Sequence, residues 1–233
     1  MSVYSEDHRR DAVQTIHPTE ERLTQFIERV EIDTSFADRP EDLHNYLVGE
    51  VVEKCAKILD VGRSSRFTKE QFRSSQAITL DITKFSDYPD IVDDLCNPQH
   101  LGTFEFDGVI CISVLEHVYD PFAALETLRN AMKPGGIFIG YTPFLFRYHG
   151  PKSLAFKDYY RFSRDGLCYL FRDFSEVHLY TVRGRFATAM NLFRWWKRGF
   201  EMHWPKLAFG LDRLLSRGGE KLQVSGYYIR AVK

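Results

Sequence analysis

The sequence predicts an α/β fold built on a mainly parallel sheet. Short apolar runs of strand length occur at 57–61, 77–81, 106–112 and 136–141. Helix-compatible segments separate them, the plainest at 121–132, and this alternation is the pattern of parallel strands joined by crossover helices. Lys133-Pro-Gly-Gly136 supplies the stop between that helix and the strand after it, because proline cannot continue a helix and glycine accepts the turn. At 233 residues the chain suits one such domain with an embellishment, large enough to bury a core without metal or disulfide staples.

Residues 1–55 are acid-rich and carry two helical patterns, one after Pro18 (Leu23, Phe26, Ile27, Val30) and one after Pro40 (Leu43, Tyr46, Leu47, Val51, Val52). Apolar residues three and four apart line one face of a helix, so this part reads as a helical cap over the sheet. The core, 56–183, holds the four strands above and a weaker one near 90–93. It also holds a helix near 163–171, whose start is favoured by Ser163 as N-cap, and a strand at 177–182. An aromatic and basic insertion at 184–221 reads as helical, and 222–233 contains the final strand at 227–232.

A charged share of 27% with a net charge of -1 gives no global attraction to polyanions, so nucleic acid is not an expected partner. Cys55, Cys96, Cys111 and Cys168 are scattered without a C-x-x-C pair, which suits buried thiols in a reducing compartment. Residues 1–11 are too polar for the apolar stretch of a signal peptide. No run approaches the ~20 apolar residues that span a bilayer. The expectation is a cytoplasmic protein.

Asp60-Val-Gly62 directly follows a strand, where an open parallel sheet presents its loops to a ligand. Glycine there lets backbone approach a ligand closely. Asp81 closes the next strand, nineteen residues after Gly62, where a carboxylate can accept hydrogen bonds from both hydroxyls of an adenosine ribose.

The run Ile58-Leu-Asp-Val-Gly62, Leu80-Asp81, Asp94-Leu95, Phe106-Asp107, Val114-Leu-Glu-His-Val118, Asp120-Pro121 and Lys133-Pro-Gly-Gly136 resembles the class I S-adenosylmethionine-dependent methyltransferases in order and spacing. The likeness continues through Tyr159-Tyr-Arg-Phe-Ser163, Gly166-Leu167 and Phe174, which resemble the acceptor side of small-molecule and glycan methyltransferases. It implies a Rossmann-like seven-stranded sheet of order 3-2-1-4-5-7-6 with the last strand antiparallel, helices on both faces and a helical insertion before that strand. S-adenosylmethionine is the implied cofactor. By the same resemblance Asp60, Gly62, Arg63 and Ser64 hold its methionine end, Asp81 with Ile82 the ribose, and Asp94 with Leu95 the adenine. Ser113, Glu116 and His117 face the reactive sulfonium.

One departure stands out: the family's G-x-G-x-G loop here reads Gly62-Arg-Ser-Ser-Arg66. Ser64 is small enough for backbone to approach a ligand, whereas Arg66 must point out of the pocket or toward the cofactor carboxylate. A cofactor-degenerate binding or scaffolding protein is therefore the alternative of a different class. A nicotinamide dehydrogenase fits worse, because its loop needs glycines to admit a pyrophosphate and Arg63 and Arg66 stand there instead.

Methyl transfer from a sulfonium is an in-line displacement, so alignment and exclusion of water are the protein's main tasks, and a base helps a hydroxyl nucleophile. His149 is the preferred base and His117 the second. Asp158, Tyr159, Tyr160 and Arg161 form a polar-aromatic cluster that either binds acceptor hydroxyls, with Tyr160 in a catalytic role, or packs the loop. No group of carboxylates suggests a magnesium site, so no metal is expected. The expected acceptor is a sugar, glycan or other small polar molecule. Within 184–215, Phe186, Phe193, Trp195, Trp196, Phe200 and Trp204 are interleaved with Arg and Lys. This segment reads as a lid, a homodimer contact, a peripheral lipid interface reaching a lipid-linked acceptor, or a partner-binding surface.

Overall fold

In the computed structural model, residues 18–35, 37–64, 72, 76–103, 105–150, 157–192, 205–215 and 222–233 are described. Helix α1 (Pro18–Arg29) leads into strand β1 (Glu31–Asp33), and α2 (Pro40–Lys54) follows. Strands β2 (Ile58–Val61), β3 (Ala77–Asp81), β4 (Ile91–Val92) and β5 (Phe106–Ile112) come next, then α3 (Pro121–Ala131) and β6 (Met132–Pro143). The chain closes with α4 (Arg164–Leu170), β7 (Glu176–Val182), α5 (Arg185–Leu192), α6 (Pro205–Leu215) and β8 (Gly226–Val232).

The sheet order is β1-β7-β8-β6-β5-β2-β3-β4, with β8 antiparallel to both neighbours and the other pairs parallel. Counted from β2, this is the expected 3-2-1-4-5-7-6 arrangement. The correction is an eighth strand: β1 extends the sheet beyond β7, pairing Glu31 with His178 and Asp33 with Tyr180. The first 55 residues therefore contribute a sheet edge as well as helices.

Alternation along the central strands decides which face each helix covers. On β5, Val109 and Cys111 join the core beneath α3 and α4, while Ile110 and Ile112 join the core beneath α2. Burial of Leu43, Leu47, Val48 and Val51 fixes α2 to that second face, each contributing roughly 1.5–3 kcal/mol. Tyr46, on the same helix, is turned to solvent. Gly108 allows the close fit, because a Cβ there would lie 2.6 Å from Val51 Cγ1 and 2.8 Å from Cys55 Sγ.

The helix starts follow the sequence signals. Asp120 caps α3 by accepting from the amides of Phe122 and Ala123, and Pro121 occupies the first turn. Ser163 caps α4 by accepting from Gly166 N at 3.2 Å. In the insertion, α5 and α6 are joined by Asp212, which accepts from Phe186 N at 2.6 Å and Ala187 N at 3.3 Å and so satisfies the first amides of α5. The tryptophans of the insertion and Arg66 lie outside the described residues. Among the described residues no helix is long and apolar enough to cross a membrane.

Candidate functional site

The C-terminal ends of β2, β3 and β5 open onto a cleft of about 330 Å³, within the range of small-molecule sites. Gly62, Ser64, Asp81, Ile82, Asp94, Leu95, Ser113 and His117, all singled out from the sequence, line it. Val61, Leu80, Leu95, Val114 and Val118 give it apolar walls.

The loop after β2 is shaped by a side chain where glycines were expected. Asp60 is buried and accepts from Ser64 N at 2.9 Å, drawing the loop back onto its strand. The Ser64 hydroxyl then accepts from Ile112 N at 3.0 Å, tying the loop to the end of β5. Gly62 has φ +67, and a Cβ on it would come within 3.1 Å of Val114 Cγ2. Arg63 follows at φ 51, and its guanidinium sits 5.5 Å from the Tyr88 ring centroid. Neither Asp60 nor Arg63 lines the cleft.

Asp81 holds Tyr88 through one carboxylate oxygen at 3.0 Å and Thr83 N through the other at 3.0 Å. A carboxylate offers about four acceptor positions, so capacity for a ribose diol remains. Burial and the neighbouring Asp81 carboxylate push the Tyr88 phenol upward, keeping it a neutral donor. Beside Asp81, whose carbonyl accepts from the Asp93 amide at 3.1 Å, Asp93 is buried and accepts from the amides of Asp94, Gln99, His100 and Leu101 at 2.8 to 3.1 Å. Burial alone would raise its carboxyl, but those four amides outweigh it and hold Asp93 below the ordinary aspartate range. Asp93 thereby fixes the loop that presents Asp94 and Leu95.

A second cleft, of about 220 Å³, lies beyond β5 and is lined by Pro40, Glu41, Tyr141, Phe146, Val182, Arg183, Asn191 and Tyr228. Ile112 and Ser113 line both clefts, so the two meet at the end of β5. Ser113 stands there at φ 58. Tyr141 is half-buried and its phenol is raised to about 12, chiefly by desolvation.

Glu116, His117 and His149 gather beside this junction. The Glu116 side chain is wholly buried, with Oε1 3.8 Å from His117 Nε2 and 3.6 Å from His149 Nε2. At 3.6 Å the contact is longer than a hydrogen bond, so the attraction to His149 is one of charge. The imidazole rings meet edge to face, 4.8 Å between centroids. His117 lines the first cleft, and His149 packs against Phe146 of the second at 5.4 Å. The His149 imidazole is raised, first by the Glu116 carboxylate, with burial opposing and Asp158 adding to the rise.

The 157–161 segment supports this group. Asp158 pairs with Arg161 and accepts from His149 N at 2.9 Å. The Arg161 guanidinium first of all, against the cost of burial, brings the Asp158 carboxyl down to about 2. The Tyr160 hydroxyl donates to the Tyr119 carbonyl at 2.8 Å and its ring stacks on Phe162, so Tyr160 braces the loop, while Tyr159 lines the first cleft. Glu116 faces the two histidines and is absent from the lining of either cleft. Tyr88, Asp93, Tyr119 and the wall of the second cleft are site residues that sequence reasoning missed. Tyr88 alone carried a usable signal, an aromatic hydroxyl seven residues beyond Asp81.

Fold and cleft define an α/β protein of the class that holds an adenosine-bearing ligand at the C-terminal ends of its strands. The chain belongs to the methyltransferase domain family, whose model matches residues 21–179. It is a class I enzyme-type fold, and S-adenosylmethionine is the methyl donor of that class. A SAM-dependent methyltransferase from Archaeoglobus fulgidus is similar in structure at a TM-score of 0.50 and 17% identity, over 83% of this chain and 94% of that one. Phosphoethanolamine N-methyltransferase 2 of Haemonchus contortus, solved with phosphomonomethylethanolamine and S-adenosylhomocysteine, is similar at 0.50 and 13%, over 82% of this chain and 52% of that one. No curated protein matches the chain.

The residues present fit the cofactor. Asp81 has free acceptor capacity, Gly62 leaves room that a Cβ would take, and the lining combines apolar side chains with Asp81 and Asp94.

Proposed function

We propose that this chain methylates a hydroxyl group of a small polar acceptor, of sugar, glycan or related type, with S-adenosylmethionine held in the first cleft. The observation that carries the reading is the meeting of the two clefts at Ile112 and Ser113. Donor and acceptor bound on either side of that edge would be neighbours, as an in-line displacement needs.

In this reading Asp81 accepts from the ribose hydroxyls, Asp94 and Leu95 meet the adenine, and the backbone of Gly62 to Ser64 faces the methionine end. The bound cofactor supplies an electrophilic methyl group. Tyr141, Asn191 and Arg183 orient the acceptor, and the Glu116, His117 and His149 cluster handles the acidity of its hydroxyl. Asn191 belongs to α5, which supports the insertion as a lid over the acceptor side. The N-methyltransferase among the similar structures was solved with a small phosphorylated amine, which supports a small-molecule acceptor and keeps nitrogen as the rival atom.

Calorimetry with S-adenosylhomocysteine tests the donor half. Heat at micromolar ligand that is abolished in Asp81→Ala is the expected result, and absence of heat at millimolar ligand would favour the scaffolding alternative. Labelled methyl transfer to fractionated metabolites and glycans tests the acceptor half: label confined to amines would refute O-methylation.

A further inference from the structure

We propose that Glu116, His117 and His149 bind a divalent first-row transition ion such as zinc, with an open coordination position toward the junction of the two clefts. The existence of the site rests on geometry alone, and its use on the methyltransferase reading. One ligand atom from each of the three residues falls within 4.8 Å of the others. Tetrahedral zinc with bonds of about 2.0–2.1 Å sets its ligands about 3.3 Å apart. The two separations of 3.6 and 3.8 Å from the carboxylate to the imidazoles are close to that, and the set as a whole, within 4.8 Å, must contract around the ion to reach it.

The carboxylate points most strongly to a cation. Both oxygens of the wholly buried Glu116 side chain lack a hydrogen-bond partner among the described residues. A buried carboxylate in that condition is costly unless a positive centre faces it.

The imidazoles are oriented for the same purpose. His117 Nδ1 donates to the Lys157 carbonyl at 2.6 Å, because a carbonyl can only accept. His149 Nδ1 lies 3.3 Å from Asp158 Oδ2. Arg161 Nη2 is at the same distance from that nitrogen, but its two hydrogens are taken by Asp158 and by the Arg147 carbonyl. The Nδ1 proton is therefore assigned to His149. The His117 ring is thus held from behind by an oxygen acceptor and turns Nε2 toward Glu116, the outer-shell pattern that orients metal-bound histidine, while His149 has the Asp158 carboxylate and the Arg161 guanidinium behind it.

Two imidazoles and one carboxylate suit zinc, cobalt or manganese better than magnesium or calcium, which favour all-oxygen sets. Three protein ligands leave one position for water or substrate, as catalytic zinc sites do. An acceptor hydroxyl in that position would become more acidic, its proton passing to water. The rival arrangement is a proton shared between Glu116 and His149 with no ion.

The test is titration of the chelator-treated full chain with Co²⁺. One ion per chain with visible ligand-field bands is expected, weakened about 100-fold or more in both Glu116→Gln and His149→Ala, and ~10–100-fold in Asp158→Asn, which keeps all three ligands but removes the charge behind His149. Absence of bands, or bands unchanged in the ligand variants, would overturn the site and favour the shared proton. Near-ultraviolet circular dichroism checks that each variant is folded. If Glu116→Gln is not, the half-exposed His149 decides the question. Binding of S-adenosylhomocysteine to the same samples separates the two readings. Retained heat without cobalt uptake overturns the ion site alone, whereas cobalt uptake without that heat supports the ion site and removes its methyltransferase role.

Discussion

Replacing Asp93 by Asn tests whether one buried carboxylate organises the side of the cleft lined by Asp94 and Leu95, where the proposed function places the adenine. Oδ1 accepts from Asp94 N at 3.0 Å and Gln99 N at 2.9 Å, and Oδ2 from His100 N and Leu101 N, each at 2.8 Å. Asparagine keeps one oxygen and turns an NH2 group toward amides that can only donate, so at least one buried N–H loses its acceptor at about 1–3 kcal/mol. The bonds that survive change from charge-assisted to neutral, losing about 1 kcal/mol each. Together the cost is roughly 3–5 kcal/mol, allowing for non-additivity.

Urea unfolding should show a lower midpoint with unchanged slope. Asp94 and Leu95 would lose their anchor, so S-adenosylhomocysteine affinity should fall by about 10-fold or more. The pH dependence has a definite sign. Because Asp93 titrates below its ordinary value of 3.8 when folded, its contribution is complete above that value and is lost as the pH falls through the folded one. Asn removes that part of the acid sensitivity. A variant within about 1 kcal/mol of the parent, with unaltered ligand affinity, would refute the reasoning.

Ser64→Gly moves the loop toward the family's glycine pattern, yet it should destabilise the fold by about 1–2 kcal/mol without improving S-adenosylhomocysteine binding, because Ile112 N loses its acceptor; tighter binding by calorimetry would contradict this. Glu50 accepts from Arg230 at 2.9 and 3.0 Å, which chiefly lowers its carboxyl against the opposing effect of burial. Its stabilising contribution is therefore present above its ordinary value of 4.5 and lost as the pH falls below it, and thermal melts of Glu50→Gln should be flatter across that acidic range than those of the parent. Asp120→Ala removes the cap of α3 and should cost about 1 kcal/mol in urea unfolding, with ligand affinity unchanged; a cost near zero would show that Pro121 suffices to start the helix.

The central strands were legible because burial on both sides writes itself as a run of apolar residues, as Val109 to Ile112 shows. Strand β1 was not, since Glu31-Ile-Asp33 offers a single apolar residue and its pairing is provided by β7, far along the chain. The site divides in the same way. Gly62 and Asp81 could be found because each follows or ends a strand, a relation contained in local sequence. The work of Ser64 could not, because its partner Ile112 is forty-eight residues away. Nor could the choice between neighbours Tyr159 and Tyr160, one facing the cleft and the other a backbone carbonyl, in a segment without helical or strand periodicity.

Glu116 is the instructive case. The family resemblance places Glu116 and His117, neighbours in one turn, toward the reactive sulfonium, but composition alone gives no sign that the carboxylate is wholly buried, since Glu is rarely so. Leu115, fully buried beside it, anchors that turn to the core, and the amides of Tyr159 and Tyr160 bind the Glu116 carbonyl at 2.8 and 3.2 Å. Those backbone contacts drive the carboxylate inward against two imidazoles, one of them brought from thirty-three residues away. A chain selected only for stability has little reason to hold a carboxylate there, because a hydrophobic residue of similar volume would spare the desolvation cost. That cost is understandable where the carboxylate serves chemistry at the edge shared by the two clefts.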